Sequence, residues 1–289
     1  MKGSLTFFII TVFILLSFSS NTLADRKYFT RSYLANTLPQ RAMELEIWNT
    51  MRIGKTEGYY YRMQPRFELE YGATDRLTTS LYLNCDQRTA DGNNYSSHPL
   101  EFSSTSLELR YRLSNPDEWF VDPALYFEFA YGGAELEYEP KIILSKRFGD
   151  FITAINVVAE IERKVIDSEH ESKFELTGGI AYDVSNNIAL GIEFRNHRNY
   201  KELYEREENQ ATFIGPTFNI QTEELYFTIN FLKQVGGAPS TKNSLDLDGH
   251  ENYEIRTILG INPVSYTHLR AHETVLDLVC RLLLEKKTN

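Results

Sequence analysis

The feature that most constrains this sequence is an alternation of apolar and polar residues with period two, recurring in twelve segments. Successive side chains of a β-strand point to opposite faces, so this period marks strands whose two faces meet different surroundings. In the first segment Met43, Leu45, Ile47 and Met51 share one face, with Glu44, Glu46, Trp48, Thr50 and Arg52 on the other. The second sets Met63, Pro65, Phe67, Leu69 and Tyr71 against Arg62, Gln64, Arg66, Glu68 and Glu70. Stretches 77–84 and 107–113 repeat the pattern, and further segments follow near 121–131, 135–145, 151–163, 172–182, 188–195, 211–220, 225–233 and 252–262.

The connections alternate as well. GATDR (72–76), SNPDEW (114–119), KRFGD (146–150), DVSNN (183–187) and QTEE (221–224) are short turn texts. Most connections between them are longer and more polar, notably 86–101, 196–210 and 234–250. An even number of strands with short turns at one end and long loops at the other is the pattern of a bacterial transmembrane barrel, with the turns and both termini expected on the periplasmic side.

Face chemistry separates this fold from a soluble sandwich or lipocalin-like barrel, whose apolar face turns inward. About eight strands already enclose a lumen that side chains fill, so twelve make room for polar groups inside and push the apolar face toward lipid. The 18 Tyr and 18 Phe agree with a strand protein. Tyr59 to Tyr61, Tyr71, Trp119 and Tyr131 fall near strand ends, where a membrane interface collects aromatic rings. The fold class expected is all-β, an antiparallel transmembrane β-barrel of about 12 strands.

Neither end belongs to that pattern. Lys2, an apolar run from Leu5 to Phe18 and small residues up to Ala24 have the layout of a secretory signal peptide over 1–24, cleaved after Ala24. The run is shorter than the roughly 20 residues of a spanning helix. Residues 25–40 then form an N-terminal segment expected on the periplasmic side, and 41–263 the barrel. From Val264 the text VSYTHLRAHETVLDLVCRLLLEKK changes character. Back-translated, it resembles a transposon-end adapter of short-read DNA sequencing running on through an index gap into the flow-cell end, so 264–289 is expected to be a non-native tail.

Two stretches, LANTLPQRAMELEIWNTMRIGK and YYRMQPRFELEYGATDRLTTSLYLN, resemble the amino-terminal half of uncharacterised porin-like outer-membrane β-barrel proteins of Gram-negative bacteria. The resemblance covers residues 30–262. It implies the cell outer membrane and a barrel fold, with transport assumed from the class, and it brings no catalytic residues.

The face opposite the apolar one collects charges that a barrel would turn inward. They are Glu44, Glu46, Arg62, Arg66, Glu68, Glu70, Glu108, Arg110, Arg112, Glu128, Glu160, Glu175, Glu193, Arg195, Glu254 and Arg256, with Glu137, Glu139, Lys141, Glu162 and Lys173 beside them. One reading is a pathway for small solutes or ions whose surplus of carboxylates favours cations. The other is a set of cross-strand ion pairs that brace the wall and close the lumen, as in a structural or adhesion barrel. A remoter alternative is an outer-membrane lipase or protease. The histidines of the body, His98, His170, His197 and His250, fall in expected loops, and no G-x-S-x-G or H-E-x-x-H text occurs. Ser97 and His98 are adjacent, and neighbours on an extended chain point apart.

Asp246-Leu247-Asp248-Gly249, with Glu251 behind it, faintly resembles a calcium loop but lacks the full ligand series, so an acidic surface loop is expected. Cys85 reads as a small strand residue. No catalytic residue, metal or cofactor is expected. Lipid, the barrel assembly machinery and small solutes or ions are the expected partners. The formal net charge of −10, with no basic cluster, argues against nucleic acid.

Overall fold

The computed structural model describes residues 26–91, 95–165 and 170–262. The signal-peptide reading of 1–24 and the adapter reading of 264–289 lie outside the described residues. Twelve strands run in chain order: β1 (Met43–Ile53), β2 (Tyr59–Thr74), β3 (Leu77–Asp91), β4 (His98–Arg112), β5 (Asp122–Tyr131), β6 (Glu135–Phe148), β7 (Phe151–Lys164), β8 (His170–Ser185), β9 (Ile188–Lys201), β10 (Arg206–Gln221), β11 (Leu225–Ala238) and β12 (Tyr253–Ile261). Each pairs antiparallel with its chain neighbours, and β12 closes the sheet on β1 with Leu45 opposite Ile261 and Ile53 opposite Tyr253. Closure leaves no strand edge, which a sheet in hydrocarbon requires because an unpaired backbone group there costs several kcal/mol.

The two faces are chemically inverted relative to a soluble protein. Outward residues such as Leu81, Leu109, Ile155 and Ile192 are about half exposed, whereas inward Glu44, Glu46, Glu68, Glu70 and Glu108 are fully buried. An apolar belt around a charged interior is stable only where the surroundings are apolar, so the all-β transmembrane barrel expected from the alternation is the fold found. Tyr71, Tyr111, Trp119, Phe148 and Tyr182 are exposed around the short-turn end, and Tyr59, Phe102 and Tyr131 around the loop end.

Several strands run further than the alternation indicates. The stretches 86–101 and 196–210, expected as long loops, are largely hairpin: Asp86 pairs with Glu101, Arg88 with His98, and Lys201 with Arg206. Here both faces meet polar surroundings, so the ladder continues after the apolar period has ended. Three of the four histidines expected in loops consequently lie in strands, His98 and His170 as first residues of β4 and β8 and His197 within β9.

The half of the lumen nearest the short turns is filled by the chain's own N-terminal segment, residues 26–42. It leaves the base of β1, rises inside the barrel to Thr30–Ser32 and descends again to Arg26, which meets Asp183 near the β8–β9 turn. Tyr28, Phe29, Tyr33, Ala35 and Leu38 are all buried. A segment expected to precede the barrel on its periplasmic side thus packs within it. Gly72 and Gly179 leave it room: a Cβ on Gly72 would lie 2.0 Å from the Pro39 carbonyl oxygen, and one on Gly179 2.5 Å from the Phe29 ring.

Candidate solute pathway in the lumen

All sixteen charged residues selected by alternation sit on the inward side of the wall, and all but Arg112 divide into three settings. The first is the filled half. Lys27 donates to Glu46 at 2.7 Å and Glu70 at 3.0 Å, and Arg110 donates to both Glu70 oxygens at 3.0 Å. Glu68 lies within 4.0 Å of Lys27, and Glu108 within 3.5 Å of Arg110 while accepting from Tyr82. Tyr226 donates to Glu44 at 2.9 Å, and the Trp48 indole to Glu46 at 2.6 Å. β1, β2 and β4 thus supply carboxylates that the N-terminal segment partly neutralises. A buried charge is tolerated when it is paired and hydrogen-bonded in this way; Glu68, whose oxygens accept no hydrogen bond among the described residues, has only the 4.0 Å approach of Lys27.

The second setting is the collar around the top of the segment. The Glu193 carboxylate accepts the backbone N–H of Arg31 and Ser32 at 2.7 Å and of Thr30 at 3.3 Å, and the Asn230 amide at 2.8 Å. Arg31 pairs with Glu254, and Arg195 links Glu175 at 2.6 Å to Glu254 at 3.3 Å and Glu251 at 3.4 Å. Asn156 donates to the Tyr33 carbonyl oxygen at 3.0 Å. Arg112 stands apart from both settings, at the short-turn rim, where it donates to the Asp75 carbonyl oxygen.

Above the collar opens the third setting, a polar cavity of about 400 Å³. Arg52, Arg62, Arg66 and Arg256 line it from β1, β2 and β12; Glu137, Glu160, Glu162 and Lys173 line it from β6, β7 and β8. In a twelve-stranded barrel these two strand groups face each other. Glu128 on β5 pairs with Arg66, whose guanidinium stacks over Tyr82 at 3.6 Å from the ring centre. Arg62 donates to Asp86 at 2.6 Å, and Lys173 pairs with Glu160 and Glu162. Carboxylates dominate the filled half, while the open cavity carries both signs on opposite walls.

The last long loop, 239–252, packs inward, with Asp246, Leu247, His250 and Glu251 buried. Asp246 is buried, and its carboxylate meets His250 Nδ1 at 2.7 Å and accepts the Gly249 N–H at 3.0 Å, so it organises the loop in the stretch that resembled a calcium motif. His250 Nε2 in turn lies 2.9 Å from His197 Nδ1. Lys55, in the β1–β2 connection, donates to the Asp248 carbonyl oxygen at 3.2 Å, and burial pushes its pKa down to about 8. Ser97 Oγ turns back to the Ala90 carbonyl oxygen while His98 reaches Asp86 at 3.0 Å, so these neighbours do not form a nucleophile and its base. Cys85 is a free thiol.

Comparison with known proteins gives a family and a fold. The model of DUF6662, a family of unknown function, matches residues 21–262. No functionally curated protein is significantly similar to the sequence. Among solved structures, the COG4313 outer membrane channel from Pseudomonas putida F1 is similar with a TM-score of 0.60 at 12% identity, over 78% of this chain and 97% of that one. The NanC porin follows with a TM-score of 0.50 at 12% identity, over 75% of this chain and 98% of that one.

Proposed function

We propose, for a chain that belongs to the DUF6662 family, that it is an outer-membrane channel for small polar solutes whose path its own residues 26–42 occlude. The carrying observation is a closed twelve-stranded wall with a charged 400 Å³ cavity on one side of a segment that is continuous with the wall only at β1. A lumen meant solely as a brace would be closed by the wall's own side chains. Here the closure comes from a stretch of chain that is held in the lumen both by polar contacts to Glu193, Glu254 and Asp183 and by packing of Tyr28, Phe29, Tyr33 and Ala35 against the wall. The likeness to an outer-membrane channel and a porin supports the reading at the level of fold. Residues 1–24 act in it as a cleaved export signal.

Ion pairs such as Arg110–Glu70 and Arg195–Glu175, which cross between neighbouring and next-neighbouring strands, favour a second reading, a permanently closed structural barrel. Solute-driven swelling of proteoliposomes separates the two. The channel reading expects swelling with small polar solutes and a sharp cut-off as solute size grows. Vesicles as tight as protein-free ones, with the segment present or deleted, establish the closed barrel.

A further inference from the structure

Most charges in the open cavity are matched by an ion-pair partner; of those that are not, Glu135 is exposed at the start of β6, and the other two are Arg256 and Glu137. Among the described residues, Arg256 on β12 has no carboxylate within ion-pairing distance. Its guanidinium is held by Thr50 Oγ1 at 2.8 Å and the Thr30 carbonyl oxygen at 3.2 Å, with the Trp48 ring 5.6 Å away. Across the lumen, Glu137 on β6 comes close enough to Glu139 and Glu160 for all three carboxylates to lie within 4.8 Å of one another. Glu139 has Lys141 at 3.2 Å and Glu160 has Lys173, whereas Glu137, among the described residues, makes no hydrogen bond and no ion pair and feels Lys173 only from beyond ion-pairing distance, that ammonium being taken by Glu160 and Glu162. β12 and β6 stand six strands apart in either direction around the barrel, so the two unmatched charges are diametrically opposed. Both line the one cavity.

From this we infer that the cavity binds a small zwitterion lying across the lumen, its anionic end on Arg256 with Arg52 beside it and its cationic end on Glu137. Arg52 suits the supporting role because its carboxylates, Glu251 and Glu254, are distant at 3.7 and 3.6 Å. A lone anion would leave Glu137 without a counter-charge, and a lone cation would do the same to Arg256; only a ligand with both charges answers both walls. Size narrows the class. Twelve strands about 4.8 Å apart and tilted about 40° make a cylinder roughly 24 Å across between backbones. With an arginine and a glutamate reaching in from opposite sides, on the order of 10 Å remains between their charges. An extended peptide advances about 3.3–3.6 Å per residue, so the matching ligand is a zwitterion of the dimensions of a tripeptide. The inference rests on the channel reading, for which it names the solute.

Calorimetric titration of the refolded full chain in detergent tests it with three probes that share one tripeptide backbone: triglycine, N-acetyl-triglycine, which keeps only the negative end, and triglycinamide, which keeps only the positive end. The expected result is binding of triglycine about tenfold or more tighter than either single-charge probe. Arg256→Gln then removes that advantage over triglycinamide, and Glu137→Gln removes it over N-acetyl-triglycine. N-acetyl-triglycine binding as tightly as triglycine would mean an anion site, and triglycinamide doing so a cation site; either overturns the inference, as does no binding of any probe at millimolar concentration. Because the readout is binding, conductance without it removes this inference alone, and binding without conductance removes the channel reading.

Discussion

Replacing Glu193 with alanine should release the N-terminal segment from the lumen. One fully buried carboxylate accepts three successive backbone N–H groups, from Thr30 at 3.3 Å and from Arg31 and Ser32 at 2.7 Å. A hydrogen bond to a charged group contributes about 1.5–3 kcal/mol, and three that share one acceptor are less than additive, so the collar is worth about 3–4 kcal/mol. At about 1.4 kcal/mol per factor of ten, its loss raises the population with the segment out by roughly 100- to 1000-fold. Ser32, only 5% exposed, reports this equilibrium when converted to cysteine in a chain whose Cys85 and Cys280 are replaced by serine. In the regime where labelling follows the open population, Ser32→Cys should react with a maleimide roughly 100- to 1000-fold faster in Glu193→Ala. Glu193→Gln, which keeps an acceptor oxygen, should fall between. Equal rates in all three backgrounds would show that the segment is not held by this carboxylate.

Other consequences follow from the faces, the close approach and the loops. Leu81→Arg or Leu109→Arg should lower unfolding stability by about 2–4 kcal/mol where the site is near the membrane midplane. Ser80→Ala, inward and, among the described residues, with no hydrogen-bond partner for its hydroxyl, should be neutral in the same urea titration. Gly72→Ala forces a methyl against the Pro39 carbonyl and should cost about 1–3 kcal/mol by thermal unfolding, whereas Gly236→Ala, with nothing within 4 Å of the added carbon, should not. Lys55 should titrate near pH 8 in competitive acetylation, while a freely solvated lysine titrates near about 10.4. Burial disfavours its charged form in the folded state, so its contribution to stability is least favourable below pH 8 and improves as pH rises from there toward 10.5. Lys55→Met should flatten that part of the profile of melting temperature against pH.

The wall was legible because lipid on one side and charge on the other impose period two at every crossing, which is why all twelve strands could be read from residue types alone. Where water lies on both sides the same ladder leaves no such trace, so the ends of β3, β4, β9 and β10 looked like loop. The segment filling the lumen was invisible for a related reason. Residues 26–42 have no period, since their neighbours on all sides mix charged, polar and aromatic groups with apolar ones such as Ile143 and Ile152. A signal was nevertheless present in the sum of charges: the inward faces of β1, β2 and β4 bring five carboxylates, Glu44, Glu46, Glu68, Glu70 and Glu108, into one region with Arg110 as the nearby wall cation. That imbalance asks for cations from elsewhere, and Arg26, Lys27 and Arg31 precede the barrel. Gly72 was a second trace, a glycine on the inward face of a strand where a backbone passes. Parity placed Arg256 and Glu137 inside but could not show that each lacks a partner, because that depends on which lumenal neighbours pair across strands.

The account turns on whether residues 26–42 are what closes an otherwise open tube, and single-channel recording in planar bilayers asks this directly. The full chain should be closed for most of the record with brief openings, and a chain lacking 26–40 should conduct steadily, since the half of the lumen these residues fill would then join the 400 Å³ cavity into one water-filled path. Two silent proteins would contradict the account and make the lumen a solid brace. Two proteins with the same steady conductance would equally contradict it, because the segment would then have no part in closing the path.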